Sequence, residues 1–239
     1  MENKEEYQLS ISFAQDDFYG NNLKPYSVMQ KFQQIATDHA NLLGLDYYSM
    51  LKKNLLWVIM RIKYKIEELP KPEQKLILIT YPLAKNVLEF DRDFIITDQN
   101  GKIFIRATSK WCLIDKTTRR LSRMTNIDYP FIFSHKGAFD EKFLKTESFV
   151  PTTAPDYSYQ VSEEDIDLNG HMNNTMYSKV IFELLKNSTI KIDTFQVNFL
   201  REAMLGNRID IYQKVEENGI NYLGKLCEGE TCFTAYAKK

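Results

Sequence analysis

The chain has 239 residues, with a hydrophobic fraction of 44% and a charged fraction of 26%, which is typical of a globular protein with a sizeable core. This length fits one large domain or two domains of roughly 100 to 150 residues each. The formal net charge is −1 at pH 7, and a chain without excess positive charge is not a strongly basic nucleic-acid binder. We therefore expect no nucleic-acid partner.

The beginning of the chain and its cysteines bear on location. The first residues, Met1-Glu2-Asn3-Lys4-Glu5-Glu6, are too polar for a secretory signal. The most apolar short run, Leu55 to Met60, is far shorter than the roughly 20 residues that span a bilayer. Cys112, Cys227 and Cys232 contain no CxxC pair, which is typical of small buried residues in a reducing compartment. We expect a cytoplasmic protein without a membrane span.

Two segments of the chain follow one plan. Tyr7-Gln8-Leu9-Ser10 is similar to Tyr159-Gln160-Val161-Ser162, and Asn21-Asn22 returns as Asn173-Asn174 at the same offset. Each tetrapeptide begins a strand-like run that is followed by a polar loop and a helix. The similarity of four residues is weak, and the shared order of the following elements strengthens it. The chain is therefore predicted to contain two copies of one structural unit.

Each copy contains one helix with a broad apolar face. In the first copy the helix is predicted to end at Gly44, a C-terminal stop. The apolar face of the second helix recurs with the same helical period. The residues that mark the two faces are Val28, Phe32, Ile35, His39 and Leu42 in the first helix, and Tyr177, Val180, Ile181, Leu184 and Leu185 in the second.

Strand signals alone follow each helix. The pair Asn100-Gly101 is expected to supply the positive φ angles of a hairpin turn between two of the strands. The predicted strands are Leu55 to Ile66, Lys75 to Tyr81, Val87 to Thr97 and Lys102 to Ile114 in the first copy, and Thr194 to Arg201, Arg208 to Val215, Ile220 to Cys227 and Thr231 to Ala237 in the second.

A sheet that wraps around the helix buries the apolar surfaces of both elements. The prediction is therefore an α+β fold, the tandem (double) hotdog, in which each half is an antiparallel sheet around a long central helix. The predicted N-terminal hotdog covers residues 1–130 and the C-terminal hotdog covers residues 156–239. Residues 131–155 are the predicted linker.

The polar segment before the second helix contains candidate catalytic groups. Asp167, Asn169 and His171 alternate at i, i+2 and i+4, and in an extended loop this spacing points their side chains to one side. Asn173 or Asn174 can cap the helix that follows, whose N-terminus favours negative charge. Carbonyl hydrolysis needs a base near a water and donors at the developing oxyanion. The alternative is an ordinary turn and helix cap, because Asp, Asn and Gly are common in turns.

The segment from Asp165 to Tyr177 resembles the signature of the acyl-acyl carrier protein thioesterases of bacteria and plant plastids. Trp57 to Arg61 and Ala107 to Trp111 resemble two strands of that family's first half, and Phe199 to Glu202 resembles its second-half active-site strand. That family is a double hotdog, in agreement with the repeat. The resemblance implies hydrolysis of fatty acyl-acyl carrier protein thioesters, which terminates fatty acid synthesis. We expect neither a cofactor nor a metal ion.

Position by position, the resemblance implies Asp167, Asn169, His171 and Glu202 as the catalytic residues. The family's Glu is often followed by a Cys, and here that position is Ala203, which excludes a cysteine nucleophile there. We expect a water to attack the thioester after Glu202 or Asp167 deprotonates it. Asn169 and donors at the start of the second helix hold the oxyanion, and His171 orients the water or polarises the carbonyl.

The first copy lacks this polar set and is expected to close the core and line the acyl pocket. The alternative for its apolar residues is plain core packing. The substrate-binding candidates are Asn173 and Asn174, with Met29, Phe32, Trp57 and Met60 as pocket lining.

Acyl carrier protein is acidic, so a basic surface favours its docking. The most cationic short cluster consists of Arg119, Arg120 and Arg123. The alternative is that these side chains are simply solvated surface charges. We expect a monomer or a homodimer.

Three other functions fit parts of this pattern. An acyl-CoA thioesterase performs the same chemistry on another carrier. A hotdog dehydratase also uses a His and a carboxylate. A non-catalytic acyl-binding hotdog protein would keep an apolar tunnel without the polar set, so the presence of that set counts against it.

Overall fold

The computed structural model describes residues 5–84, 86–128, 133, 135–139, 143–144, 146, 149–186 and 191–238. The polar residues before Glu5 and part of the predicted linker, residues 131–155, lie outside the described residues. No helix in the described ranges is long and apolar enough to cross a membrane.

The described chain consists of antiparallel strands with a few helices. The helices are α1 (Pro25–Leu42), α2 (Tyr47–Lys52) and α3 (Asn174–Leu185). The strands are β1 (Tyr7–Ile11), β2 (Phe18–Tyr19), β3 (Asn22–Leu23), β4 (Leu55–Ile66), β5 (Leu76–Pro82), β6 (Glu89–Thr97), β7 (Ile103–Asp115), β8 (Leu121–Ser122), β9 (Tyr157–Gln160), β10 (Thr194–Phe199), β11 (Arg208–Glu216), β12 (Gly219–Leu226) and β13 (Thr231–Lys238).

The long helices and the eight predicted strands are confirmed. Strand β4 has the predicted bounds, and the others differ by at most two residues at either end, which is the usual uncertainty of an element boundary.

The chain divides into two compact units. Unit 1 comprises Met1–Ala14 and Lys31–Lys142, and unit 2 comprises Gln15–Gln30 and Phe143–Lys239. The predicted domain boundaries stay a prediction.

Unit 1 contains an antiparallel sheet with the strand order β1-β5-β6-β7-β4. The part of α1 that belongs to this unit packs on the sheet through Phe32, whose ring centroid lies 4.8 Å from that of Phe94 and 6.4 Å from that of Tyr64. The core of unit 1 therefore lies between α1 and the sheet, as the apolar face of the helix predicts.

Helix α1 ends at the predicted glycine. Gly44 has φ +67°, a left-handed conformation that a residue without a Cβ adopts at no steric cost. Its N–H donates to the Asn41 carbonyl at 3.1 Å, and the Leu45 N–H donates to the Ala40 carbonyl at 2.9 Å. These bonds form a Schellman motif, which turns the buried Leu45 into the core.

The β6–β7 hairpin is confirmed, but its turn differs from the prediction. Only Gly101 has a positive φ in this turn, at +82°, so the expectation that Asn100 shares it is wrong. The Asp98 carboxylate accepts the N–H groups of Asn100 and Lys102 at 2.9 Å each. These side-chain bonds hold the turn without a left-handed residue before the glycine.

Helix α2 is absent from the prediction, which expected only strands after the first helix. The Asp46 carboxylate caps it by accepting the N–H groups of Tyr48 and Ser49 at 3.0 and 3.2 Å. Met50 anchors α2 in a cluster that also contains Leu45. Six residues give fewer than two helical turns, so the apolar period has no length over which to show.

Unit 2 contains an antiparallel sheet with the strand order β9-β11-β12-β13-β10 and the small hairpin β2–β3. Helix α3 buries Val180 and Ile181. The ring centroid of Tyr177 lies 5.5 Å from the ring centroids of Phe199 on β10 and Phe233 on β13. These contacts fix the start of α3 against two strands.

Described residues of the predicted linker contact the sheets through polar groups. The Ala138 N–H donates to the Asp93 carboxylate in unit 1. In unit 2, the Leu144 N–H donates to Gln196 Oε1 at 2.9 Å, and Gln196 Nε2 donates to the Leu144 carbonyl at 2.7 Å. Buried Asp93 and Gln196 thereby obtain hydrogen-bond partners from the linker.

We expect Asp46→Ala to lower the free energy of unfolding by about 1 kcal/mol at pH 7, because alanine cannot cap α2. The pKa of Asp46 lies below its usual value, first because of the Ser49 side-chain hydrogen bond. The folded state therefore binds fewer protons than the unfolded chain, so the carboxylate's contribution is present above the unfolded pKa and is lost as pH falls through the folded pKa.

Urea denaturation at pH 7 and pH 3 measures this effect, and the difference between wild type and Asp46→Ala should shrink at pH 3. Asp38→Ala, which removes a partly exposed carboxylate from the surface of α1, is the control and should change stability by less than about 0.5 kcal/mol. An equal loss in Asp46→Ala at both pH values would contradict the role of the charged cap.

Candidate active site

The candidate catalytic segment folds as a tight turn. The Asp167 N–H donates to the His171 carbonyl at 2.9 Å, and the Gly170 N–H donates to the Asp167 carbonyl at 3.0 Å. Gly170 has φ +79°. The expected extended loop is therefore wrong, and the alternation of side chains that it implied for Asp167, Asn169 and His171 does not apply, since that rule requires a strand-like backbone.

The structure brings together two of the predicted catalytic residues, His171 and Glu202. Nε2 of His171 lies 3.2 Å from Oε2 of Glu202, and their side chains are 18% and 43% exposed. The backbone forms this arrangement through an antiparallel bridge between His171 and Met204. The Met172 N–H also donates to the Ala203 carbonyl at 2.8 Å. A basic side chain and a carboxylate thus meet where solvent reaches both.

Asp167 and Asn169 have other contacts. The Asp167 carboxylate accepts the Asn169 N–H at 2.7 Å, which forms an Asx turn. Asn169 is exposed and Asp167 is half-buried. In the described part of the chain, neither side chain makes a hydrogen bond to His171 or Glu202. The structure therefore gives Asp167 a role in shaping the turn.

The start of α3 follows the turn directly. Asn173 is the cap residue, and its Oδ1 accepts the N–H and the hydroxyl of Thr175 at 2.9 Å each. Asn174 is the first residue of the helix. A helix N-terminus is a site of partial positive charge, so the turn that presents His171 is continuous with such a site. Substrate binding by Asn173 and Asn174 stays a prediction.

Asp165 stabilises this region, although it is not among the predicted site residues. It is 1% exposed, and its two carboxylate oxygens accept the Tyr159 hydroxyl at 2.9 and 2.8 Å. It also accepts the Ser162 N–H at 2.8 Å. The Ser-x-x-Asp pattern of a capping box at Ser162 to Asp165 was the available signal. Burial, followed by the Asp165 contact, raises the pKa of Tyr159.

Tyr177 was predicted only as part of the apolar face of the second helix, but it also contacts the candidate site. It is 3% exposed, and its hydroxyl oxygen accepts the Ala203 N–H at 3.2 Å. Burial raises its pKa, and the charges of Glu202 and Asp167 raise it further. Tyr177 is therefore a neutral phenol near both carboxylates.

Two of the four predicted pocket-lining residues are buried, and Trp57 and Met60 are half-buried. Phe32 and Met29 are buried. Trp57 packs with a cluster that contains Leu45, whose carbonyl accepts the indole N–H at 3.1 Å. Met60 packs against a second cluster of buried hydrophobic residues. Their role in binding an acyl chain stays a prediction.

The cysteines differ in environment. Cys112 and Cys232 are buried, whereas Cys227 is exposed, so the expectation of three buried cysteines is wrong for Cys227. Burial raises the pKa of Cys232 to about 12, and its thiol donates to the Gly224 carbonyl at 3.4 Å. Since the thiolate is the nucleophilic form, Cys232 is not an activated nucleophile. The described residues contain no cluster of His, Cys, Asp and Glu that could hold a metal ion.

Residues 2–128 match the Acyl-ACP thioesterase N-terminal domain, and residues 151–233 match the Acyl-ACP thioesterase C-terminal domain. The chain belongs to the acyl-ACP thioesterase family. The second match contains the turn with His171, the Glu202 segment and Tyr177.

Curated relatives of this acyl-ACP thioesterase family member include plant proteins. A palmitoyl-acyl carrier protein thioesterase, chloroplastic, from Gossypium hirsutum is 29% identical over 66% of this chain and 41% of its own length. A dodecanoyl-[acyl-carrier-protein] hydrolase, chloroplastic, from Cinnamomum camphora is 26% identical over 84% of this chain and 57% of its own length. The chain spans about half the length of the curated relatives it matches.

Solved structures of acyl-ACP thioesterases show the fold. One from Bacteroides thetaiotaomicron has a TM-score of 0.87 and 22% identity, covering 99% of this chain and 98% of its own. The 12:0-ACP thioesterase from Umbellularia californica has a TM-score of 0.82 and 21% identity, covering 98% and 96%. The predicted hotdog-type fold, a large antiparallel sheet with few helices, is confirmed.

We expect Cys232→Ala to keep at least about half of the wild-type turnover, because a buried protonated thiol takes no part in nucleophilic attack. Turnover is measured as the release of free thiol from an acyl thioester, with circular dichroism to compare folding. Cys112→Ala, a buried cysteine of unit 1, is the matched control. A hundredfold loss in a folded Cys232→Ala protein alone would support a cysteine nucleophile instead.

Proposed function

We propose that this protein hydrolyses fatty acyl-acyl carrier protein thioesters to free fatty acid and acyl carrier protein, and so terminates fatty acid synthesis. The observation that carries the proposal is the 3.2 Å contact between His171 and Glu202. It lies in a chain that belongs to the acyl-ACP thioesterase family. The names of the curated relatives support the choice of carrier.

The proposed reaction is direct attack by water. Glu202, the more exposed member of the pair, accepts a proton from the water as its oxygen attacks the thioester carbonyl. The tetrahedral intermediate then collapses, the C–S bond breaks, and the carrier thiolate leaves and takes up the proton that Glu202 accepted, which returns Glu202 to its carboxylate form. A general base of this kind typically contributes roughly a hundred to ten-thousandfold in rate. No covalent acyl-enzyme is required, in keeping with Ala203 and the neutral Cys232.

His171 positions the carboxylate. A carboxylate only accepts hydrogen bonds, so Nε2 of His171 is the donor in its contact with Glu202. The exposed Asn169 side chain and the N-terminus of α3 are the proposed oxyanion donors. Asp167 has the supporting part of holding the turn through the Asn169 N–H.

The finer architecture that we propose is the tandem hotdog. Both units have the same strand order in their sheets. When the five main strands of a unit are numbered in chain order, the sheet has the order first, third, fourth, fifth, second. Unit 1 has this order as β1-β5-β6-β7-β4, and unit 2 has it as β9-β11-β12-β13-β10. An identical strand order in both units supports a repeat of one fold.

Two further predictions concern cellular location and oligomeric state. The cytoplasmic location predicted from the cysteines stays a prediction, and the curated relatives carry the word chloroplastic in their names. A monomer or a homodimer also stays a prediction.

We expect Glu202→Gln to lower kcat by about a hundredfold or more with little change in KM, because the amide keeps the shape but cannot accept the proton. His171→Ala should also lower kcat, because alanine has no side-chain donor for Glu202. The matched control is Glu230→Gln, which neutralises an exposed carboxylate that pairs with Arg201 at 2.9 Å. Wild-type turnover in both Glu202→Gln and His171→Ala would rule out this assignment.

The identity of the carrier is tested with matched acyl-acyl carrier protein and acyl-coenzyme A thioesters of graded chain length. The side chains of Arg119, Arg120 and Arg123 are exposed. We expect Arg120→Glu/Arg123→Glu to lower kcat/KM for the acidic carrier protein about tenfold or more at low salt, and less at high salt. Its activity on the coenzyme A thioester should change less.

Lys71→Glu/Lys75→Glu gives the same change in charge at other exposed positions of unit 1 and is the control. Equal or higher activity on the coenzyme A thioester in the wild type would favour the alternative, an acyl-CoA thioesterase.

A further inference from the structure

Two hydrogen bonds converge on the backbone of Ala203. Its N–H donates to the Tyr177 hydroxyl oxygen at 3.2 Å. Its carbonyl accepts the Met172 N–H at 2.8 Å. The residue is therefore held by helix α3 on one side and by the candidate catalytic turn on the other.

Both members of the reactive pair are direct neighbours of these bonds. Glu202 precedes Ala203, and His171 precedes Met172. The Ala203 backbone therefore connects the segment of Glu202 to the segment of His171. The segment that carries Glu202 lies between β10 and β11. Before Glu202, the N–H groups of Leu200 and Arg201 donate to the Cys232 carbonyl at 2.9 and 3.1 Å, and the Ala203 bonds hold the segment directly after it.

Tyr177 is suited to act as the fixed point of this arrangement. It lies in the first turn of α3, and its ring packs edge to face against Phe199 and Phe233, with centroids 5.5 Å apart in each case. A buried aromatic ring between two others has little rotational freedom. A site is most accurate when its supporting side chains are fixed by packing in this way.

The charge state of the Tyr177 hydroxyl also suits this role. Burial and the nearby charges of Glu202 and Asp167 raise its pKa. It thus stays neutral, and its oxygen accepts the amide without adding a third negative charge beside the two carboxylates. The bond to Ala203 is the hydroxyl's hydrogen bond among the described residues, so replacing tyrosine with phenylalanine removes one defined interaction.

We propose that Tyr177 is a positioning residue, whose hydroxyl sets Glu202 against His171 through the Ala203 amide. This inference rests on the proposed function of the His171–Glu202 pair. It assigns Tyr177 no contact with the substrate.

The test is Tyr177→Phe in the full chain, with Tyr222→Phe as the matched control. Tyr222 is another buried tyrosine of unit 2, and its hydroxyl has no hydrogen-bond partner among the described residues. Both variants remove one buried hydroxyl and keep the ring. We expect kcat of Tyr177→Phe to fall about tenfold to a hundredfold with KM within twofold of wild type, since small misplacements of catalytic groups cost rate. Tyr222→Phe should keep the wild-type kcat.

A double-mutant cycle separates positioning from a general loss of structure. If Tyr177 acts through Glu202, Tyr177→Phe should cost little further activity in the Glu202→Gln background. The full tenfold or greater loss in that background would overturn the proposal. Wild-type kcat in Tyr177→Phe alone would also overturn it.

A readout without substrate keeps this test independent of the proposed function. The ring ¹⁵N chemical shift of His171 Nε2 reports its hydrogen bond to Glu202, and we expect it to change in Tyr177→Phe and to stay unchanged in Tyr222→Phe. An unchanged shift in Tyr177→Phe contradicts the positioning role. Absence of hydrolysis of any acyl thioester by the wild type would reject the proposed function, whereas the shift measurement would still decide whether Tyr177 holds the pair together.

Discussion

The backbone of Ala203 is the constraint on which the candidate site depends. Its side chain offers only a methyl group, and the residue is fully buried, so its position is fixed through its amide and carbonyl. Those groups connect it to Tyr177 and Met172. A carboxylate on an irregular segment loses considerable entropy when it is held in one place. These bonds hold the segment in the protein without substrate, so in the proposed reaction Glu202 needs little reorganisation.

The candidate catalytic turn is held in the same manner from its other end. Asp165 is buried and satisfies the Tyr159 hydroxyl and the Ser162 N–H, and Gly170 provides the left-handed residue that closes the turn. Functional residues often lie on loops that a rigid scaffold positions. Here the scaffold is the start of α3 and the sheet of unit 2, and His171 at the end of the turn is continuous with it.

The sequence predicted the fold well because its signals are local. Strands with alternating apolar and polar residues, and a helix that ends at Gly44, can each be recognised within a short window of sequence. Helix α2 was missed because its six residues make fewer than two helical turns. The extended form of the catalytic loop was wrong because Gly170 and the Asx bond of Asp167 compete with extended backbone. The hydroxyl of Tyr177 could not be interpreted at all, since its partner is 26 residues away and its position on the helix is an apolar one.

Two histidines show why residue type alone could not locate the site. His39 of unit 1 is fully buried, and its Nδ1 lies 3.0 Å from a guanidinium nitrogen of Arg92. A guanidinium only donates, so this nitrogen of His39 carries no proton and accepts. Nε2 of His171 faces the carboxylate of Glu202, which only accepts, so that nitrogen carries a proton and donates. The first histidine completes a buried hydrogen-bond network, whereas the second contacts a solvent-accessible carboxylate. Their neighbours, and not their chemistry in isolation, distinguish a packing role for His39 from the catalytic role that we propose for His171.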